Sequence, residues 1–218
     1  MLMRSKHTAD ETLVMDRRQF IAGAAAAFLA PVTLSFTARN AEAATTAIGA
    51  YIKIDDKNKV TLVTGQTEMG QGIGSGLAQL VAEELMLTWD QVGFEHAPVD
   101  PANYGLPGWG AQLTGGSTSM MMWYTPLRIA AAKVAVRLKA AAVLANPGTT
   151  AGEWSLAEGG YVVRGSQKVA FSSLLSYIGR TTEPASATPA GGSRIVGQSV
   201  RRLDLLGKVD GSTKFGMD

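Results

Sequence analysis

Two stretches of this sequence crowd glycine and small hydroxyl residues in front of a helical pattern. The first, VTGQTEMGQGIGSGLAQLVAEEL, runs from Val63 to Leu85 and carries glycines at 65, 70, 72, 74 and 76. The second, Thr114-Gly115-Gly116-Ser117-Thr118-Ser119, opens a long alanine-rich run that stops at Asn146-Pro147-Gly148. The first-turn N–H groups of a helix have no intrahelical acceptor and carry the positive end of the helix dipole. Left bare by glycine, they can cradle a phosphate or pyrophosphate, and Thr114, Ser117, Thr118 and Ser119 would add hydroxyl donors. The spacing alone is unspecific. Glycines at 70, 72, 74 and 76 match neither the phosphate loop that ends in Gly-Lys-Ser/Thr nor the G-x-G-x-x-G dinucleotide fingerprint. A competing reading stays open: the glycines permit close helix–sheet packing and the hydroxyls cap helices.

Other chemistry is narrowed by composition. The chain of 218 residues has no cysteine and two histidines, His7 and His96. It therefore supplies no disulfide, thiolate metal site or iron–sulfur ligand, and the sequence predicts no metal site and no catalytic triad. A net charge of +2 is too small to mark a nucleic-acid or polybasic membrane surface. Glu68 precedes the glycine loop and is expected to be a solvated or capping carboxylate. Met120, Met121, Met122 and Trp123 are expected to pack in the core. Tyr104, Trp109 and Gln112 are read as surface packing, and Arg128 as a structural partner for an acid.

The elements that would position these loops follow from hydrophobic spacing. Alternating residues on both sides of Asp55-Asp56-Lys57-Asn58 predict a hairpin, Tyr51–Ile54 with Lys59–Thr64. Leu77, Leu80, Val81, Glu84 and Leu85 follow helical spacing and predict a helix from Ser75 to Met86. A strand is expected at Val92–Ala97. A long helix follows at Thr118–Ala145, in which Pro126 should make a kink or mark the first turn. Beyond it come a short hairpin around Arg164-Gly165-Ser166 and a helix at Ser172–Ile178. A Pro/Ala/Gly/Ser-rich linker, TTEPASATPAGGSR, leads to a tail expected to be extended and poorly packed. The predicted class is α+β, a small sheet packed by two main helices.

The amino terminus reads as an address. Arg17 and Arg18 precede Phe20, Ile21 and a moderately apolar run to Leu34, and Ala41-Glu42-Ala43 forms an A-x-A cleavage pattern. The run is short for a bilayer-spanning helix and holds Pro31. The pattern resembles a twin-arginine signal, which predicts periplasmic export of a folded protein and no transmembrane span after cleavage. Residues 1–43 would be the signal, 44–192 the body, and 193–218 a linking segment.

The motifs GQTEMGQG and LTGGSTSMMMWYTPLR resemble those of molybdopterin-binding large subunits of the xanthine dehydrogenase/aldehyde oxidase family. The nearest branch is that of the isoquinoline 1-oxidoreductase large (beta) chains and periplasmic aldehyde dehydrogenases. The resemblance covers residues 48–218, loosely between 146 and 192, and VGQSVRRLDLLGKVDGSTKFGMD is similar to the segment leading into that family's α/β hammerhead domain. It implies that Gly70, Gln71 and Gly72 contact a molybdopterin cofactor, with Gln71 a polar ligand. It also implies that Thr114, Gly115, Gly116, Ser117, Thr118 and Ser119 hold its terminal phosphate or, in the cytosine dinucleotide form, its diphosphate.

The same resemblance implies hydroxylation or dehydrogenation of aldehydes or N-heterocycles, with a glutamate as general base. None of Glu83, Glu84, Glu95, Glu153, Glu158 or Glu183 sits in that glutamate's motif, so no catalytic residue is expected here. The expected partners are the remainder of the large subunit and a 2Fe-2S small subunit, without which the chain should be inactive. A small phosphate- or nucleotide-binding module and a non-catalytic exported remnant are the alternatives.

Overall fold

The structure is a computed structural model that describes residues 45–213. The expected twin-arginine signal, with its cleavage pattern, lies outside the described residues.

Strand β1 (Thr45–Ala47) leads into the hairpin of β2 (Ile52–Asp55) and β3 (Val60–Thr64). In β2 the alternation is clean: Ile52 and Ile54 are buried while Lys53 and Asp55 are half-exposed. Nearly all of β3 is buried, because its far side is also covered. Helix α1 (Ile73–Glu84) returns the chain to β4 (Val92–His96), which pairs parallel with β3, Leu62 opposite Phe94. The sheet order is β1-β2-β3-β4, antiparallel except for that last pair. The glycine loop is thus the turn of a β-α-β unit. It lies off the carboxyl end of a parallel strand, where open α/β sheets leave a crevice.

A short helix α2 (Pro101–Tyr104) precedes α3 (Thr118–Ala145), which at 1.5 Å per residue is about 42 Å long. Trp123, Leu127, Ala131, Val134, Leu138 and Ala141 are its buried stripe, at the 3.6-residue period of one helix face. Pro126 sits inside the helix on its exposed side, about two turns past the start, so it does not mark the first turn. Helix α1 has almost no exposed face. It lies between the four-stranded sheet and α3, and its remaining side is covered by residues 190–204.

A second sheet is formed by β5 (Ser155–Ala157), β6 (Tyr161–Arg164) and β7 (Gln167–Ala170), all antiparallel; β6 and β7 are the hairpin expected around Arg164-Gly165-Ser166, and β5 is the strand the sequence did not announce. It joins the first through Asn58, whose side-chain amide donates to the carbonyls of Gly159 and Gly160 while its oxygen accepts from Ser172 N. The predicted helix at Ser172–Ile178 is a 3-10 turn, Ser172–Leu174, followed by α4 (Leu175–Ile178).

The tail departs from expectation. It is extended, but it is not poorly packed: residues 190–204 form a strap that runs back along α1 toward the glycine loop. At the carboxyl end of α1, Glu83 accepts from the main-chain N–H groups of Arg194, Ile195 and Val196 at 3.0, 2.7 and 3.1 Å. Its neighbour Glu84 accepts from Ala190 N at 2.6 Å and from Arg128 Nε at 2.6 Å. Arg194 donates to the carbonyls of Ala82 and Leu87, closing the end of the helix. Midway, Gln79 donates to Ile195 O and Gln198 O, and Trp89 Nε1 donates to Arg201 O. At the amino end, Leu203 N donates to Ser75 Oγ at 2.9 Å. A last helix, α5 (Leu205–Val209), follows. No apolar periodicity announces such a strap, because it is held by main-chain amides, two arginines and irregularly spaced apolar residues such as Ile195 rather than by a repeating face.

Burial pushes the Glu83 carboxyl up, but the three amide donors and the Arg194 guanidinium outweigh it and hold it below the usual carboxylate range. A carboxyl depressed in the folded state stabilises above its unfolded pKa of about 4.3, and that contribution is lost as pH falls through the folded value. Folding stability is therefore expected to decline with acidification below about pH 4.3, and Glu83→Gln should flatten the decline. Urea unfolding of both proteins from pH 6 to pH 2.5 checks this. Equal slopes would mean that Glu83 titrates in the folded chain as it does in the unfolded one, and so is not held by the strap.

Candidate functional site

The two glycine-rich helix starts stand side by side. Gln66 is fully buried and braces them: its Oε1 accepts from Ser119 Oγ at 2.6 Å, and its Nε2 donates to Leu113 O at 3.3 Å. Its own N–H donates to Thr64 Oγ1. Thr67 N donates to Thr114 Oγ1 at 2.9 Å, a second tie between the loops. Behind them the helices cross closely, for a Cβ on Gly76 would stand 2.9 Å from Met120 Cε.

At the first start the amides are already occupied. Glu68 Oε1 accepts from Gly70 N at 2.9 Å and Gly72 N at 2.8 Å, and its Oε2 accepts from Gly74 N at 3.1 Å. The side chain of Glu68 is only 6% exposed. Burial pushes this carboxyl up, yet the amides of Gly72, Gly74 and Gly70 together hold it below its ordinary value. The expectation of a free amide cradle here is corrected: the chain caps α1 with a carboxylate of its own. The capping role expected for Glu68 is what the geometry shows. Gly72 takes the left-handed conformation, φ 83°, which lets the loop wrap around Glu68. Gly74 is required by contact, since a Cβ there would fall 2.4 Å from the ring of Phe94 on β4. The packing role left open for these glycines therefore holds at several of them.

Gln71 is exposed, and its side chain is turned back on its own loop. Its Oε1 accepts from Met69 N at 2.6 Å and its Nε2 donates to Thr67 O at 2.9 Å. Arg202 from the strap reaches the same loop, donating to Gly70 O at 2.7 Å and to Glu68 Oε1 at 3.2 Å. It is held in turn by Asp204, through Nε at 2.9 Å and Nη2 at 2.7 Å. Lys208 pairs with Asp204 at 2.5 Å.

The second start is open. Ser117 sits at the helix boundary in the left-handed conformation, φ 57°, with no side chain capping α3. Gly115, Gly116 and Ser117 are exposed, and Thr114 and Thr118 half-exposed. Thr118 bonds back to Gly115 O through both its N–H and its hydroxyl, which folds the loop without covering the following amides. A Cβ on Gly115 would meet nothing within 4 Å. Ser119 alone of the hydroxyls is committed inward, to Gln66. A multi-oxygen anion fits this second start. At the first it would have to displace Glu68.

Around the two starts, Met69, Trp109 and Met121 are each about two-thirds exposed, while Met120 and Met122 pack against the core and Trp123 lies within it. Gln112 braces its own loop, accepting from Asp100 N and donating to Pro98 O. Tyr104 donates its hydroxyl to Ala50 O at 2.8 Å, an anchoring role. Arg128 pairs with Glu84, as expected of a structural residue. Gln66 and Arg202 were not singled out from the sequence. A glutamine just past a buried strand was the available signal for the first, and none marked the second. Among the described residues no group of three His, Asp or Glu side chains is placed to hold a metal ion, and no helix is long and apolar enough to cross a membrane.

A β-α-β unit with paired glycine-rich helix starts, one of them open to anions, defines a cofactor-binding module. The profile of the molybdopterin cofactor-binding domain matches residues 6–195, and the chain belongs to that family. It is 26% identical over 259 residues to the beta chain of isoquinoline 1-oxidoreductase from Brevundimonas diminuta, covering 95% of this chain and 32% of the relative. To the membrane-bound aldehyde dehydrogenase (pyrroloquinoline-quinone) of Gluconacetobacter polyoxogenes it is 28% identical over 178 residues, covering 77% and 22%. To one of the subunits of nicotinate dehydrogenase from Pseudomonas putida it is 28% identical over 174 residues, covering 78% and 14%. The chain thus spans less than a third of the length of each of these relatives. Among solved structures it is similar to quinoline 2-oxidoreductase from Pseudomonas putida 86, with a TM-score of 0.45 and 19% identity over 67% of this chain and 21% of that one.

Proposed function

We propose that this chain contributes one side of the cofactor site of a molybdenum-dependent oxidoreductase acting on aldehydes or N-heterocycles. The open, uncapped start of α3 carries the reading. There Thr114, Gly115, Gly116, Ser117 and Thr118 hold the terminal phosphate or diphosphate of the cofactor, while Ser119 fixes the loop through Gln66. Gly70, Gln71 and Gly72 face the pterin on a rim that carries no side chain of its own at the two glycines, and Gln71 offers its amide by releasing its bonds within the loop. The amides that bind Glu68 take no part. When bound, the cofactor supplies a two-electron redox centre, and the residues of this chain orient it and give its anionic end hydrogen-bond donors.

The base glutamate, the rest of the site and the 2Fe-2S electron carrier come from the remaining polypeptide and a small subunit. The leader directs the assembled protein to the periplasm by the twin-arginine route. In this reading the chain alone is inactive.

Gly115→Asp tests the assignment, because the structure offers space for the new side chain while its charge opposes an anion. Stability should change by less than about 0.5 kcal/mol. Pterin retained by the chain, co-expressed with its large-subunit remainder and iron–sulfur subunit, should fall at least about tenfold. Undiminished pterin would overturn the placement of the anion, and turnover by the chain alone would overturn the division of labour.

A further inference from the structure

The strap ends on the loop that faces the cofactor, and it does so through a single side chain. Arg202 touches three things at once: the carbonyl of Gly70, the carboxylate of Glu68 and the carboxylate of Asp204. Glu68 is the group that organises the loop, since it gathers the N–H groups of Gly70, Gly72 and Gly74. Its three amide donors lie on one side, and Arg202 is its cationic partner among the described residues. Asp204 fixes the fork of Arg202 and is itself fixed by Lys208, one turn along α5. Leu203 N, between the two, is tied to Ser75 in the first turn of α1. The strap therefore delivers the arginine to one place, and the charges alternate along the whole line from Glu68 to Lys208.

We propose that Arg202 is a positioning residue for the cofactor loop, holding Glu68 in its capping pose so that the loop keeps one shape only while the strap is seated. The proposal rests on the cofactor reading for its functional meaning, but the order of the loop itself can be measured without cofactor. An arginine is needed here rather than a lysine, because the guanidinium makes four bonds from three coplanar nitrogens, two of them bidentate to Asp204, while an ammonium has three donors and no planar fork. The polypeptide that follows α5 is thereby coupled to the glycine loop, and displacement of the strap would loosen the loop without unfolding α1.

Amide hydrogen exchange on the full chain tests this. In Arg202→Gln, exchange at Gly70, Gly72 and Gly74 should rise about tenfold while Leu80, Val81 and Ala82 in the middle of α1 stay protected. Arg202→Lys should resemble the glutamine variant rather than the wild type, and Asp204→Asn should move the same three amides in the same direction by a smaller factor. The asparagine variant carries the test should the glutamine variant fail to fold. Pterin retention in the co-expressed assembly should fall in step with the loss of protection. Unchanged exchange at the three glycines overturns the proposal, as does a uniform rise across α1, which would make Arg202 a general stabiliser. Unchanged exchange together with pterin lost in Gly115→Asp would leave the cofactor reading standing without Arg202. Raised exchange with pterin absent from every variant and from the wild type would sink the cofactor reading instead.

Discussion

Glu84→Ala is expected to destabilise the folded chain by about 3–5 kcal/mol, the range for removing one partner of a buried ion pair. The side chains of Glu84 and Arg128 are 1% and 11% exposed. The carboxylate serves two elements at once, taking Arg128 Nε from α3 and Ala190 N from the strap, each at 2.6 Å. Alanine would leave a guanidinium with only the Tyr124 hydroxyl, at 3.1 Å, and a main-chain N–H with no acceptor. At this chain length the loss corresponds to a fall of roughly 10 °C in Tm, measurable by calorimetry. The double variant Glu84→Met, Arg128→Leu should recover much of it, because replacing both charges removes the stranded one. A single variant within about 1 kcal/mol of wild type would show that the pair is not buried as described.

Gly65→Ala is expected to cost about 3 kcal/mol, at the upper end for a side chain forced into filled space. A Cβ at Gly65 would lie 2.3 Å from the carbonyl oxygen of Tyr104 and 2.9 Å from its Cβ. The first is backbone, in a segment fixed by the Tyr104 hydroxyl on Ala50 O and by the Asp100 cap of α2. The stretch at 100–105 must therefore move away from the end of β3. Gly65 directly precedes Gln66, so the displacement would also disturb the brace between the two helix starts. Gly115→Ala, at a position with open space, is the control and should be nearly neutral. Equal denaturation midpoints for the two alanine variants would rule out the close approach at Gly65.

These effects mark the boundary of what the sequence discloses. The hairpin, α1, β4 and α3 were legible because each carries its own period: alternation in Ile52–Asp55, helical spacing from Leu77 to Leu85, and a stop at Asn146-Pro147-Gly148. The α+β class followed from them. The second sheet was only partly legible, since β5 is three residues long and is defined by its pairing with β6 rather than by any pattern of its own. The strap was not legible at all. Its acceptors, Glu83 and Glu84, sit in an ordinary helical position with nothing in the local sequence to mark a partner, yet both are buried and filled by amides more than a hundred residues away. The same is true at the site. Glycine density marked two helix starts, which the structure sets side by side, and the family resemblance named the ligand class. That Glu68 fills one start and leaves the other open depends on three-dimensional aim, which residue types do not encode.

The way the strap is held has a consequence for the stretch before it. Thr181 and Glu183 are still tied to α3 through Arg137 and Lys133. Residues 184–189 contain no helix or strand, and the chain regains a fixed position at Ala190 because Glu84 captures its N–H and Glu83 captures three more amides just beyond. Alignment of the strap on α1 is therefore set by where two carboxylates stand, not by how much chain is let out beforehand. Lengthening or shortening residues 184–189 is therefore expected to leave the downstream register in place.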